Sequence, residues 1–580
     1  MKLQAGHTAI GAMSDANDVL NQPSPLTGYN LFLSDATLAK AVQRSGAGWA
    51  HEQISDLGRL LGTEEVQRWG FDANEQHPVL HTHDRYGNRR DEVVFHPSWH
   101  NLMRTSVEHK LHSLPWEIGK SANIDNRKGA HVARAALLML TAQNEAGHTC
   151  PISMTFSCIA ALRTESDLAR EWEPRILSSR YDPRFLPAQE KSGVLLGMGM
   201  TEKQGGSDVR ANTSKAERIG TASSREYLIT GHKWFISAPM CDAFLVLAQA
   251  ARGLSCFLIP RWTPSGTRNH FHIQRLKDKM GNRSNASGEV EFEQSWAHLV
   301  GEEGRGVNTI IEMVNHTRLD CTIAAAALMR QGLVQAMHHA RHRKAFGKLL
   351  IEQPLMRNVL ADLAIESEAA TMLMVRLASA FDARESDPGE RAFCRIATAI
   401  SKYWLCKRSP AHVSEALECL GGNGYVEESI MPRLYREASL YSIWEGSGNV
   451  ICLDVLRALA KDPATVEALI HELRSASGAD RRLDSYITQV ESDLTGQIKR
   501  SSQNGGGEME GQARRLTERL ALALQALLLV RHSSTEMADA FIASRLCGDH
   551  GNAFGTLSPG VDLTPILDPV QTGLESSRSS

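Results

Sequence analysis

The chain has 580 residues, 42% apolar and 22% charged, with 63 Lys+Arg against 66 Asp+Glu and a formal net charge of −3. That composition supports buried cores in several domains and excludes disorder as the main state. Near-neutrality excludes nucleic-acid binding by bulk charge, so any such binding needs a local basic patch.

Residues 1–20 are weakly patterned, carry no apolar run of the signal-peptide type, and read as a flexible arm. Pro23 and Pro25 then open an extended stretch, and Ser34 reads as the N-cap of a helix from about Asp35. Helix-type patterns dominate as far as Arg180, best seen at Val132–Gln143, where apolar residues surround Arg134. Residues 21–192 are therefore predicted as a helical domain.

Between 193 and 300 the period changes to that of strands. Tyr227–Thr230 and Lys233–Ser237 read as two strands joined by a tight turn at Gly231-His232. Phe244–Gln249, Ser255–Pro260, His270–Leu276 and Gly288–Phe292 continue the signal. Residues 301–460 return to helices. Apolar positions from 356 to 381 follow a helical face after Pro354, Asp387-Pro388-Gly389 breaks it, and a further helix runs from about Arg391 to Leu420. Residues 461–550 hold three helix-like stretches around a Gly505–Gly507 linker, and 551–580 reads as a disordered tail. From 461 onward 12 Lys+Arg face 16 Asp+Glu, so the appended region is acidic on balance. Helical, β and helical blocks in succession argue for an α+β fold with segregated modules.

Ten cysteines show no C-x-x-C pair and read as buried thiols of a reducing compartment. No apolar run reaches the ~18 residues of a bilayer span; Gln525 interrupts the stretch Leu520–Val530. The expected location is cytoplasmic, with no membrane partner.

Two loops carry chemistry. Gly197–Asp208 is a glycine cluster without the third glycine and strand-to-helix setting of a Rossmann fingerprint. Taken alone it is more simply a set of turns, though Thr201 and Ser207 with exposed N–H groups also suit a flavin. Ile443–Asn449 is sharper. A glutamate between Trp444 and a Gly-x-Gly turn is desolvated toward the pKa range of a general base, while Ser447 or Asn449 can still cap the following helix. His338, His339 and His342 lie beside Arg341, Arg343 and Lys344, which repel a cation, and His81 and His83 sit among charged residues; no metal site is predicted.

Six segments in order resemble the acyl-CoA dehydrogenase family. They are Met200-Thr-Glu202 with Gly206-Ser-Asp208, Gly231–Ser237, Lys279-Met-Gly281 with Arg283 and Ser287, Arg343–Gly347 with Gln353, Leu420–Tyr425, and Trp444–Ser447. Within that family the chain is most similar to the bacterial adaptive-response flavoproteins. That similarity rests on Asn21-Gln-Pro23, Gly46–Trp49, Gly199–Ser207, Gly281–Ser287, Gln353–Arg357 and Ser442–Asn449, and extends over about 21–549.

The resemblance implies an N-terminal helical domain, a β-barrel-like middle domain and a helical bundle that together grip FAD, plus an extra C-terminal helical domain. It implies flavin contacts from Met198, Met200, Thr201, Gly206, Ser207, Trp234, Phe235, Ile236 and Ser237, and from Ile443, Trp444, Gly446, Ser447, Gly448 and Asn449. Arg343 and Phe346 are implied to reach a neighbouring subunit's FAD in a homotetramer. Glu445 is implied as the catalytic base; the position some relatives use instead is Thr317, which cannot serve. The implied role is double-stranded DNA binding in the response to alkylation damage, through Arg457 and Arg545, with at most weak activity on isovaleryl-CoA. The alternative is a metabolic acyl-CoA dehydrogenase or oxidase that does not bind DNA. Arg514, Arg515 and Arg519 share a helix and read as a solvated polar face.

Overall fold

A computed structural model describes residues 20–118, 128–504 and 507–576. The arm expected at 1–20 lies outside the described residues except for Leu20, as do Gly505 and Gly506 of the expected linker.

The first module contains α1 (Ala36–Val42), α2 (His51–Leu61) and α3 (Glu64–Glu75), then a hairpin of β1 (Val79–His83) and β2 (Arg89–Val94). It continues with α4 (Pro97–Glu108), α5 (Leu114–Ile118), α6 (Ala130–Asn144), α7 (Thr149–Leu162) and α8 (Ser166–Ile176). Asp35, not Ser34, caps α1: its carboxylate accepts from the Leu38 N–H at 3.0 Å, while Ser34 Oγ donates to Leu31 O. The β1–β2 hairpin departs from the all-helical expectation. Its apolar residues, Val79-Leu80 and Val93-Val94, fall in adjacent pairs instead of alternating with polar ones, so no period of two marks the strands. Its turn is held by Asp84 Oδ1, which accepts from the N–H groups of Tyr86 and Asn88 at 2.8 and 2.9 Å.

The middle module contains β3 (Leu196–Gly199), β4 (Lys215–Arg218), β5 (Glu226–Ser237), β6 (Ala243–Ala250), β7 (Gly253–Pro260), β8 (Phe271–Leu276) and β9 (Ser287–Val300). Pairings β6–β7, β7–β9, β9–β5, β5–β4 and β4–β6 close a circuit, with β3 added parallel to β6 and β8 antiparallel to β9. Closure removes the free edges that an open sheet exposes. The fourteen-residue β9 makes this possible, pairing with β8 through its first half and with β7 through its last residues. The expected turn at Gly231-His232 is not a turn. β5 runs unbroken through it, with irregular pairing to β9 between Ile229 and Gly231. The glycine is needed for close approach, because a Cβ there would meet Ser214 Cα at 2.6 Å.

The third module opens with α9 (Gly306–His342), followed by the short hairpin β10 (Lys344–Ala345) and β11 (Lys348–Leu349). Then come α10 (Pro354–Ala383), α11 (Pro388–Cys419), α12 (Gly422–Tyr425), α13 (Ile430–Leu440) and α14 (Gly448–Lys461). Pro354 and Pro388 each take a first-turn position, and Asp387 caps α11. Helix α9 packs on α6, α7, α10 and α11, and so joins the first module to the bundle. At that junction Arg134 is buried, with Nη1 and Nη2 donating to Asp320 at 2.6 and 2.8 Å and Nε donating to Leu111 O at 2.6 Å.

The appended region holds α15 (Pro463–Leu473), α16 (Arg481–Asn504), α17 (Gly507–His532), α18 (Thr535–Phe541) and α19 (Thr564–Ser576). Helix α19 corrects the expectation of a disordered tail. Ile566, Leu567, Val570 and Leu574 are buried, and the helix packs on α1, α9, α10 and α18. Pro565 and Pro569 suggest disorder by composition, but Pro565 falls in the first turn and the apolar residues recur at helical spacing. Truncation after Gly560 is expected to uncover this surface, seen as increased hydrophobic-dye binding and a lower urea midpoint.

Nine of the ten cysteines are buried and Cys547 is exposed; none forms a disulfide. No described helix is long and apolar enough to cross a membrane.

Candidate active site

Glu445 lies in the loop between α13 and α14 with φ of +58°, a left-handed conformation that a non-glycine residue adopts only when its surroundings enforce it. The enforcing groups are visible. Arg318 Nε donates to Glu445 O at 3.1 Å, and Lys402 Nζ donates to Gly446 O. Arg318 is itself held by Asp454 of α14 at 2.8 Å, and Asp454 also takes Arg395 at 2.7 Å. Gly446, with φ of +112°, adopts a backbone conformation that side-chain-bearing residues rarely take, and a Cβ there would also press on Ile451 Cδ1 at 2.8 Å. Helices α9, α11 and α14 thus aim one carboxylate.

Burial raises the Glu445 pKa above its ordinary value, against the hydrogen bond from Thr317 and the positive charges of Arg318 and Lys402. Thr317, excluded as a base, has a different role: its Oγ1 donates to Glu445 Oε2 at 2.7 Å. Thr317→Val removes that donor, so the carboxylate pKa is expected to rise further. The acid limb of any Glu445-dependent reaction then moves to higher pH, as a pH–rate profile would read.

The glycine cluster is the second part. Glu202 is fully buried, with Oε1 taking Lys233 Nζ at 2.7 Å and Oε2 taking the Thr213 N–H at 2.7 Å. Burial alone would raise its pKa, but Lys233 and the hydrogen bonds outweigh that and hold it well below the usual carboxylate range. This pin ties residues 200–214 to β5, where the Trp234 N–H also donates to Thr201 O at 2.8 Å. Lys203 N–H donates to His232 Nε2 at 3.0 Å. Sequence reasoning singles out Thr201 and Trp234 but assigns no role to Glu202 and Lys233, which form the buried pair that holds them.

The expected flavin residues of this segment divide by exposure. Met198 and Ile236 are buried in the barrel wall; Met200, Thr201, Trp234 and Ser237 are half-buried; Phe235, Gly206 and Ser207 are exposed. In the Glu445 loop Gly448 is buried, Trp444, Gly446 and Ser447 are half-buried, and Ile443 and Asn449 are exposed. Cys150 of α7 links the two segments. Burial pushes its thiol up to about 12 and the charge of Glu445 adds to the shift, while Ser237, Lys279 and Asn285 oppose it. Burial likewise pulls the Lys279 ammonium down to about 8, with Cys150 and Glu437 opposing. Cys150 is therefore a neighbour of the carboxylate to which sequence reasoning assigns nothing. No motif could have found Cys150, because α7 is far from both loops along the chain.

Other expected residues lie elsewhere. Arg343 Nη1 donates to Asn21 O at 2.6 Å, and Phe346 stands fully exposed at the tip of the β10–β11 hairpin; neither is hydrogen-bonded to the two loops. Arg457 is exposed on α14, and Lys461 is exposed one turn on. Arg545 is a correction. Its side chain is buried, Nε donates to Glu366 at 2.9 Å, and Nη2 pairs with Asp362, so two carboxylates already neutralise it. Its position near the end of a predicted helix did not disclose that α10 lies across from it. Arg515 is exposed, as a solvated face requires, whereas Arg519 is partly buried and pairs with Asp493. Among the described residues no His, Cys, Asp and Glu cluster could hold a metal ion.

The residues present fit a flavin dinucleotide. Trp444 Nε1 is a buried donor without a protein acceptor, Phe235 and Ile443 offer exposed apolar surface, and α14 starts without a side-chain cap. Uncapped N–H groups at a helix start suit a phosphate.

Residues 21–183 match the adaptive response protein AidB N-terminal domain. Residues 197–295 match the acyl-CoA dehydrogenase middle domain and 304–460 the acyl-CoA dehydrogenase C-terminal domain. The chain is 45% identical to AidB of Escherichia coli (strain K12) over 524 residues, 90% of this chain and 93% of that protein. It superposes on Caenorhabditis elegans ACDH-11, solved in complex with C11-CoA, with a TM-score of 0.81 at 26% identity, covering 94% of each chain. A glutaryl-CoA dehydrogenase from Mycobacterium smegmatis, solved in complex with FADH2, shares the fold with a TM-score of 0.57 at 18% identity, over 75% of this chain and 99% of that one.

Proposed function

The chain belongs to the acyl-CoA dehydrogenase family, in its AidB branch, and from that premise we propose an FAD-dependent acyl-CoA dehydrogenase-type oxidoreductase that also binds double-stranded DNA. The observation that carries the first part is the Glu445 carboxylate, desolvated and aimed by Arg318, Lys402 and Thr317. Bound FAD would supply the hydride acceptor for oxidation at the β-carbon of an acyl thioester, held by the residues of the two loops. Glu445 takes the α-proton through Oε1 or Oε2. The hydrogen bonds to the Glu445 and Gly446 carbonyls keep the loop from relaxing, so the base is pre-positioned. Trp444 packs edge-on against the buried Tyr441, with ring centroids 5.6 Å apart, which fixes the indole beside Glu445. The C11-CoA complex of ACDH-11 supports an acyl-CoA as ligand.

The DNA reading concerns the response to alkylation damage, with dehydrogenase turnover kept low and isovaleryl-CoA a poor substrate. The exposed Arg457 and Lys461 on one face of α14 support it, together with the AidB match over 21–183. Arg545 takes no part. A homotetramer would gather these cations from several copies, and the exposed Phe346, Leu355 and Tyr425 are apolar surface for such contacts. A cytoplasmic location suits both parts.

One preparation tests both. Anaerobic addition of isovaleryl-CoA should bleach the flavin slowly, and a duplex should be retarded with an affinity that falls steeply with salt. Arg457→Gln should weaken the duplex complex and reduce its salt slope. Rapid turnover of an acyl-CoA with no duplex retained at moderate salt would replace this reading with that of a metabolic dehydrogenase or oxidase.

A further inference from the structure

The appended region reaches the start of α14 through α17, which packs on both α14 and α11. Arg514 Nε donates to Asn449 Oδ1 at 2.8 Å, leaving the Nη donors of its guanidinium for another acceptor. Gly448, the first residue of α14, shows how close the cations come. A Cβ there would stand 3.0 Å from Lys407 Cε and 3.3 Å from Arg514 Nη2. Among the described residues neither cation has a carboxylate at ion-pair distance, whereas Arg519, just over one turn along α17, pairs with Asp493. Ser447 does not cap the helix with its side chain, so the first-turn N–H groups converge on the same place. Two unneutralised cations and an uncapped helix start make a site for a compact polyanion, beside the loop that holds Glu445.

We propose that Arg514 and Lys407 hold the diphosphate of the flavin dinucleotide at the start of α14, so that the appended helical region is itself part of the cofactor site. This rests on the FAD reading above. It gives the extra domain a role within the flavin site. Arg514 reaches the site only while α17 stays packed on α14, so flavin affinity reports the docking of the appended region. The charge matches the diphosphate, which carries the negative charge of FAD, and not its uncharged isoalloxazine ring.

The test uses the full-length apoprotein and flavin-fluorescence titration with FAD and with riboflavin, which lacks phosphate. Arg514→Gln is expected to weaken FAD binding about tenfold and Lys407→Gln by less, since a bidentate guanidinium binds phosphate better than a point charge. Riboflavin binding should be unchanged in both, and Arg514→Lys should restore part of the loss. Arg515→Gln, exposed on the same helix, should leave FAD affinity as it was. Equal loss for FAD and riboflavin would mean a structural effect and overturn the proposal. So would unchanged FAD affinity, or loss of duplex binding alone, which would assign the two cations to DNA. Wild-type protein that binds no flavin at all would overturn the FAD reading as well, and so is told apart from failure of this inference alone.

Discussion

Glu445→Gln is expected to slow flavin reduction by an acyl-CoA about 10²- to 10⁴-fold, the scale on which a positioned general base acts. Gln retains the shape and can still accept from Thr317, so flavin affinity should not change. Nor should the protein lose stability. Burial raises the folded-state pKa of Glu445, so the folded protein holds that proton more tightly than the unfolded chain. The group's contribution is most favourable at low pH and falls as pH rises through the unfolded and then the folded value. At neutral pH the ionised carboxylate therefore disfavours folding, and Gln removes that penalty. Stopped-flow flavin bleaching and a urea midpoint, measured on one preparation, check both halves. A variant that bleaches at the wild-type rate would remove Glu445 from the reaction. In the wild type the reaction should lose rate on the acid side, where Glu445 takes up its proton.

Asp320→Ala is expected to destabilise the protein by about 3–5 kcal/mol, because it strands a buried guanidinium. Arg134 is 1% exposed, and its charge is met by Asp320 and its Nε by Leu111 O. Its guanidinium also lies 3.4 Å from the centroid of the Phe156 ring, in surroundings too apolar to hydrate it. The double change Arg134→Met with Asp320→Leu should recover most of the loss, since apolar replacement of a whole buried pair is near neutral. The urea midpoints of the single and double variants, compared as a cycle, decide this. A single variant as stable as the wild type would show that water reaches Arg134.

Much of the fold is legible because it is written in local periods. The strands of 244–260 follow from short, nearly continuous apolar runs and the helical face of 356–381 from apolar residues at helical spacing, and the structure carries both. The loop at 443–449 is legible because a glutamate between tryptophan and paired glycines is chemically unusual. The β1–β2 hairpin is not legible, since its apolar residues sit in adjacent pairs without alternation and its partners on β8 are far along the chain. The turn expected at Gly231-His232 is absent for a related reason. A glycine suits a turn and a close backbone approach equally, and only the position of Ser214 decides between them.

Residue type and short spacing suffice for the order of helical and β modules, the family resemblance and the choice of Glu445 as the candidate base. What surrounds those residues is settled only by long-range packing. Packing turns Thr317 from a rejected base into the donor that tempers Glu445, and it encloses Arg545 between Asp362 and Glu366. It also orders α19 against α10 and carries Arg514 to the start of α14. The reason is common to all four. Charge and burial depend on partners distant in the chain, and a net charge of −3 says nothing about where the cations are gathered.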